Sequence, residues 1–236
     1  MSGSTQIAAQ KYHYCGTDKL HQELLDTDPN YVAERIKLEK FTKEYTEQNA
    51  GKKGTVYVIP IVFHVIHNFG PENVSKEHIL DGLRIINEDF RKTNPDTTQI
   101  VSAFKGIAAD SEIDFRLAQK DPDGNCTDGI TRTVSIQTMS AGNGVKSLVR
   151  WPNERYLNVW LVNTIASGAG GYAYYPGVSP EIDGIVLRTG QFGPGYRSLT
   201  HEIGHYLNLA HTWGSTNDPE VASNCNTDDG VGDTPN

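Results

Sequence analysis

His201, Glu202, His205 and His211 combine residue types that can hold a metal ion and use it. On an α-helix, residues four apart are offset by roughly 40° and rise about 6 Å, so His201 and His205 share one face and aim two imidazole nitrogens at one point. Glu202, beside the first of them, can reach water at that point as a general base. A helix continued to His211 would turn that ring about 240° from His205 and carry it about 9 Å further along. The helix must therefore stop near Asn208 and the chain must fold back. After glycine, asparagine best accepts the left-handed backbone that such a stop requires. Three imidazoles leave a fourth position open, which is the pattern of a catalytic rather than a structural zinc, and imidazole suits zinc better than calcium or magnesium. The plain alternative is a partly buried helix with incidental histidines. It leaves unexplained why three of only 8 histidines fall at these spacings.

The elements that must position these groups are legible in outline. Val56 to Ile66 is an apolar run crossed by Pro60 and His64, and reads as a buried strand. Ser75 can cap a helix in which Ile79, Leu83, Ile86 and Phe90 recur at helical spacing. Ile113 to Leu117 alternates as a half-buried strand does, residues 121–130 are rich in turn formers, and Leu157 to Val162 reads as a central strand. Gly168 to Gly177 is glycine-rich and loop-like, and Gly184 to Leu187 reads as a short strand at the sheet edge just before the motif helix. This order predicts an α/β sandwich with a mixed sheet. An extended peptide would add a strand to the edge near Gly184 to Leu187. Gly170-Gly171-Tyr172-Ala173 would line one side of the cleft beside that peptide, or would simply serve tight turns. His64 and His67 are too awkwardly spaced for one face of a strand. His64 reads as a core or cleft residue and His67 as a strand-end residue.

The first part of the chain differs in character. Lys19 to Tyr45 is charged and helix-favouring, and Glu47 to Gly54 reads as an exposed linker carrying the dibasic Lys52-Lys53. Residues 1–53 are therefore expected to be a removable N-terminal segment rather than merely a helix with a solvated face. Met1-Ser2-Gly3-Ser4 reads as a cloning scar that replaces a native leader. Cys15, in Tyr14-Cys15-Gly16-Thr17, is either a solitary thiol near a terminus or a ligand for the open zinc position. Thiolate affinity for zinc gives it a specific target, and the second reading is preferred. Removing the segment would then expose the metal.

Net charge is −8, which speaks against nucleic-acid binding, a role that favours clustered Lys and Arg. No apolar run approaches the roughly 20 residues needed to span a bilayer. With 3 cysteines, one at least is left without a partner inside the chain. Asn224 to Thr234 is dense in oxygen donors, with Asp228, Asp229 and Asp233 foremost. It is a calcium loop, though not an EF-hand, or a solvated acidic loop.

Taken together, the run from Ser198-Leu199-Thr200 through His211-Thr212-Trp213-Gly214 resembles the metzincin metallopeptidases, in particular the pappalysin family and its microbial cytophagalysin and ulilysin-like branch. Ile59-Pro60-Ile61-Val62-Phe63-His64-Val65-Ile66, Asp121-Pro122-Asp123-Gly124-Asn125, Gly129-Ile130-Thr131-Arg132, Tyr156-Leu157-Asn158-Val159-Trp160, and Asp228-Asp229 followed by Asp233-Thr234-Pro235 carry the likeness over nearly the whole chain, in order. The resemblance implies an α/β (α+β) fold: the upper subdomain of a metzincin-like zincin, with a mixed twisted sheet, a backing helix and an active-site helix. It further implies an N-terminal propeptide over 1–53 and a catalytic domain over 54–236. The activity implied is that of a secreted zinc endopeptidase acting on proteins or peptides, with His201, His205 and His211 as ligands and Glu202 as base. Its own propeptide would be its inhibitor through Cys15, since Cys-Gly-Thr resembles the family's version of that switch. The family also tips the acidic loop toward calcium, and suggests that Cys225 pairs either with a cysteine in a further tail or with Cys126. Two departures stand out. Asn208 occupies a position where metzincins usually carry glycine. Metzincins also place a Met-containing turn beyond the third histidine, whereas Met1 and Met139 both lie before it. The catalytic domain ending at Asn236 is thus expected to be C-terminally incomplete, and a latent or inactive zinc-binding module is the competing expectation.

Overall fold

The computed structural model describes residues 14–49, 54–214, 216 and 221–231, with Cys225 described by its backbone alone. Met1 to Ser4, Lys52-Lys53 and Asp233 lie outside the described residues. The helices α1 (Thr17–Thr27) and α2 (Pro29–Asn49) precede β1 (Tyr57–His67), α3 (Lys76–Phe90), β2 (Ile113–Leu117), β3 (Ile130–Val134), β4 (Leu157–Val162), β5 (Gly171–Tyr172), β6 (Ile185–Arg188) and α4 (Ser198–Tyr206). The charged N-terminal stretch is therefore two helices. Asp28 separates them in an extended conformation, and its Oδ1 accepts from the N–H groups of Asn30 and Tyr31, while Pro29 supplies the pre-set φ that suits a first helical position.

The sheet runs β2-β1-β4-β6-β5, with β3 also paired to β1. β1 is its spine. Ile61 pairs with both Leu117 and Leu157, and Phe63 with both Ile130 and Val159, so β2 and β3 lie in tandem along one edge of β1 while β4 occupies the other. Ala118 N–H bonds Ile61 O at 2.9 Å and Phe63 N–H bonds Gly129 O at 2.9 Å, closing the gap between the tandem strands. Gly129 (φ +69°) is required there, because a Cβ would come within 2.8 Å of the Ala118 nitrogen. The stretch read as turn-rich thus ends in a strand, β3.

Alternation along the strands divides the core. Ile61, Phe63 and Val65 of β1, Leu157, Val159 and Leu161 of β4, and Ile185 and Leu187 of β6 face one way and pack with Ile79 and Ile86 of α3 and Leu199 and Ile203 of α4. Ser75 Oγ caps α3 by accepting from His78 N–H at 3.2 Å, as the sequence predicts. Ile66, Trp160, Val162 and Val186 face the other way. On that second face His64 is fully buried, and its ring joins three strands: Thr131 Oγ1 lies 2.7 Å from Nδ1 and Asn158 Oδ1 lies 2.9 Å from Nε2. It is a core residue. His67 closes β1, as expected.

One expectation is corrected. The strand read at Gly184 to Leu187, observed as Ile185–Arg188, is not at the sheet edge. It is flanked by β4 and by β5, which pairs with it antiparallel through Gly171 opposite Leu187 and Tyr172 opposite Val186. The glycine-rich stretch read as a loop supplies this two-residue edge strand. Any added strand must therefore meet β5, not β6. The position is already taken by the N-terminal segment, since Cys15 forms a parallel bridge to Gly171.

Candidate metal centre

α4 delivers the first half of the site. Its apolar side, through Leu199 and Ile203, is held in the core against α3 and the sheet. At its start, Thr200 Oγ1 donates to Asp89 Oδ2 of α3 at 2.6 Å, and the Arg197 guanidinium lies 2.6 Å from Asp89 Oδ1. This leaves Glu202 and His205 buried on the side that faces β5 and the N-terminal segment, with His201 at the mouth of the cleft.

The helix then stops where the spacing demands. Asn208 has φ +77°. Leu209 N–H returns to Gly204 O and Asn208 N–H to His205 O, both at 2.9 Å, which is the pattern of a Schellman C-cap with asparagine in the usual glycine position. The reversal brings His211 back, so that its Nε2 lies 3.2 Å from Nε2 of His201, which in turn is 3.0 Å from Nε2 of His205. The carbonyl that the turn exposes, Leu209 O, takes the Nδ1 proton of His205 at 2.7 Å. Nδ1 of His211 meets Asp18 Oδ2 of α1 at 2.9 Å, and the ring stacks on Trp213 at 4.6 Å with 9° between planes. With Nδ1 engaged by an acceptor in both rings, the neutral tautomer leaves each Nε2 with a bare lone pair pointing inward. Burial first, and the neighbouring imidazoles after it, push His201 and His205 down to about 4. Two such lone pairs, from His205 and His211, thus converge on Nε2 of His201 at 3.0 and 3.2 Å, three imidazole nitrogens within reach of one ion. The donor set therefore fits zinc, which takes imidazole nitrogen in tetrahedral surroundings.

Cys15 completes the group. Its Sγ and the ligand atoms of the three histidines all lie within 4.8 Å of one another, in the one such cluster among the described residues. The thiol also lies 3.7 Å from Glu202 Oε2 and donates toward it, and burial, followed by the Glu202 charge, drives its pKa strongly upward. Glu202 is itself pushed up to about 8 by burial, against the opposing pull of its bonds from Cys15 and Thr17. Thr17 Oγ1 lies 3.3 Å from the Glu202 carboxylate, accepts from Ala173 N–H at 3.0 Å and lies 3.1 Å from Ala173 O. Gly171 is needed where it is, since a Cβ there would stand 3.0 Å from Glu202 Oε1. The cleft over this group measures ≈ 290 Å³, with Tyr14, Cys15, Gly170 and Gly171 on one side and Arg197, His201 and Trp213 on the other.

Several contacts of the site had no signature in the sequence, even where a residue, Thr17, stands in the Cys-Gly-Thr string. Thr17 and Asp18 reach the base and a ligand from far away in the chain. Arg35 of α2 hydrogen-bonds Asn208 Oδ1 at the helix stop and stands 5.4 Å over the Tyr175 ring, whose hydroxyl approaches His205 Nδ1 at 3.3 Å. Asp228 and Asp229 stand apart from the cluster. One oxygen of each accepts a backbone N–H of its own turn, from Gly230 and Val231 respectively. Cys126 is exposed and carries a free thiol. No helix among the described residues is long and apolar enough to cross a membrane.

Comparison with known proteins reports on the same region. A peptidase M43 family model, described as pregnancy-associated plasma protein-A, matches residues 143–236. The chain is similar to an extracellular metalloprotease of Arthroderma gypseum, 26% identical over 189 residues that make up 73% of this chain and 53% of the relative. A second, from Arthroderma otae, is 31% identical over 121 residues, or 45% of this chain and 42% of the relative. The chain thus spans about half the length of these relatives. Among solved structures, mature mirolysin of Tannerella forsythia in complex with a cleaved peptide superposes with TM-score 0.69 at 34% identity, covering 78% of this chain and 73% of that one. A promirolysin variant from the same organism superposes with TM-score 0.75 at 30% identity, covering 94% and 76%.

Proposed function

The chain belongs to the pappalysin family of metallopeptidases, and from that premise we propose that it is an extracellular zinc-dependent endopeptidase held latent by its own N-terminal segment. His201, His205 and His211 would hold the ion, and Glu202 would be the base. The observation that carries this reading is the convergence of three imidazole nitrogens, with a buried carboxylate beside them and a thiol from residue 15 set against both. The extracellular reading follows the Arthroderma relatives, which are extracellular metalloproteases. The latent reading draws on the promirolysin likeness, which covers 94% of this chain where the mature enzyme covers 78%.

Zinc bound there supplies Lewis acidity, polarising a carbonyl oxygen and acidifying water near neutral pH. The chain's own groups do the rest. Once residues 14–16 leave it, the rim of β5 at Gly170 and Gly171 offers main-chain groups to an extended peptide and holds it across the cleft. Glu202 takes a proton from the attacking water and passes it to the leaving amine. Asp18 and Leu209 O hold two ligand rings by their Nδ1 atoms, the Asp18 contact belonging to the latent state alone. In that state Cys15 and Thr17 fill the space a peptide would need: the thiol faces the ligands, and the hydroxyl occupies both main-chain groups of Ala173. Residues 1–53 are accordingly read as the propeptide and 54–236 as the catalytic part.

The test is zinc content together with hydrolysis of a protein substrate, for wild type and Glu202→Ala, before and after limited trypsin treatment. We expect zinc in both proteins, hydrolysis only after treatment, and a loss of at least about a hundredfold in the variant. Equal hydrolysis by Glu202→Ala would remove the assignment.

A further inference from the structure

If the N-terminal segment is a propeptide, a reading on which this inference rests, its departure uncovers more than the metal. Tyr14 and Gly16, either side of Cys15, are paired with β5 like a strand: Gly16 N–H donates to Gly171 O at 2.9 Å and Gly170 N–H to Tyr14 O at 3.0 Å. Directly beside this pairing lies a second recess of ≈ 200 Å³. Ala141, Ile165, Tyr172 and Tyr174 form its inner wall, and Leu20 of α1 packs against them.

The chemistry of that wall is one-sided. Its charged lining residues, Lys19 and Glu23, both belong to α1 and would leave with it. The two tyrosine hydroxyls are engaged by one amide: Asn143 Nδ2 donates to Tyr174 Oη at 2.7 Å, and Tyr172 Oη donates to Asn143 Oδ1 at 3.2 Å. Behind the rings, Lys146 Nζ lies 5.2 Å from the Tyr172 centroid and 4.8 Å from that of Tyr174, fixing both aromatic faces. What is left to a ligand is mostly aromatic and aliphatic carbon, with Asn143 and Ser167 as the polar lining residues and no charged group. A carboxylate placed there would lose water and meet no cation.

We propose that this recess is a side-chain subsite of the processed enzyme, and that it selects a large apolar residue, leucine or phenylalanine, at one fixed position of the peptide substrate. In the latent form Leu20 of α1 covers it, packed against the inner wall. An extended peptide that replaces residues 14–16 along Gly170 and Gly171 passes the same opening and can place one side chain in it.

The experiment uses the zinc-loaded full chain after limited proteolysis and a set of peptides that differ at one residue. Leu, Phe, Ser and Asp are placed in turn at each position on either side of the cleaved bond. At one position kcat/KM should fall by at least about tenfold from Leu to Ser or Asp. Gly142→Leu should flatten that ranking. Gly142 lines the recess, its φ of −148° accepts a side chain, and a Cβ there meets nothing within 4 Å, so the new leucine fills the space. The Leu-to-Ser ratio is taken within each protein, so a general loss of activity cancels. The same peptides titrated against Glu202→Ala, which leaves them intact, should bind in the same order. The subsite is overturned if no position ranks Leu above Ser, or if the ranking survives Gly142→Leu. If wild type cleaves no peptide at all, the peptidase reading falls, and the binding order on Glu202→Ala still decides for or against the recess.

Discussion

A single backbone angle, φ of +77° at Asn208, decides whether the third imidazole reaches the other two. Left-handed backbone costs a β-branched residue roughly 1–2 kcal/mol, while glycine adopts it freely. Asn208→Gly should therefore keep zinc at wild-type stoichiometry. Asn208→Val should lose about 1–2 kcal/mol of stability and bind zinc more weakly. Denaturant unfolding and zinc titration of both variants check this, and equal zinc affinity in the two would contradict it. The ligands and the base were readable in advance because their spacing on one short segment is itself the geometry of the site. Asp18, Thr17 and Arg35 were not. Each meets its partner across most of the chain, and nothing local in Thr17-Asp18 announces a carboxylate for His211 or a hydroxyl for Glu202.

Among the elements, long periodic ones were legible and short ones were not. Leu157–Val162 and the helix capped by Ser75 carry enough residues for a period to declare itself. Gly171–Tyr172 has none, and only the pairing with Ile185–Arg188 makes it a strand, so local sequence points to Ile185–Arg188 as the edge. The strands also have a titratable tie. His64 lies in β1 between Thr131 of β3 and Asn158 of β4, and burial lowers its pKa from 6.5 to about 4, against a smaller upward pull from Asn158. As pH falls below 6.5, the unfolded chain takes up a proton there that the folded chain refuses until about pH 4. Stability from this group is thus present above 6.5 and lost on acidification, by about 3 kcal/mol in all. Thermal unfolding from pH 7 to pH 4 should show this acid slope in wild type and a flatter one in His64→Gln. Parallel slopes would mean that the ring is protonated in the fold.

On the scale of the molecule, the N-terminal segment reaches the site at several separate points: Cys15 at the ligand cluster, Thr17 at the base, Asp18 at His211, and Arg35 at the helix stop. Removing one latch should raise the open population without freeing the segment. A contact worth about 1.4 kcal/mol corresponds to a factor of ten. Cys15→Ala should therefore raise peptide hydrolysis by the untreated full chain at least about tenfold. The comparison is with the same protein after trypsin, where variant and wild type should converge. Unchanged latency would remove Cys15 as the switch.

The tandem arrangement of β2 and β3 along one edge of β1 has an engineering consequence. The residues between them hang outside the ladder. Ala118 and Gly129 complete the rungs at either end, and Asp121 folds the tip back on itself through Asp123 and Asn125. Extra sequence spliced in beside the exposed Gly124 would lengthen a solvent-facing finger and break no strand pairing. That makes the tip a ready attachment point for an epitope or a dye on the otherwise intact polypeptide.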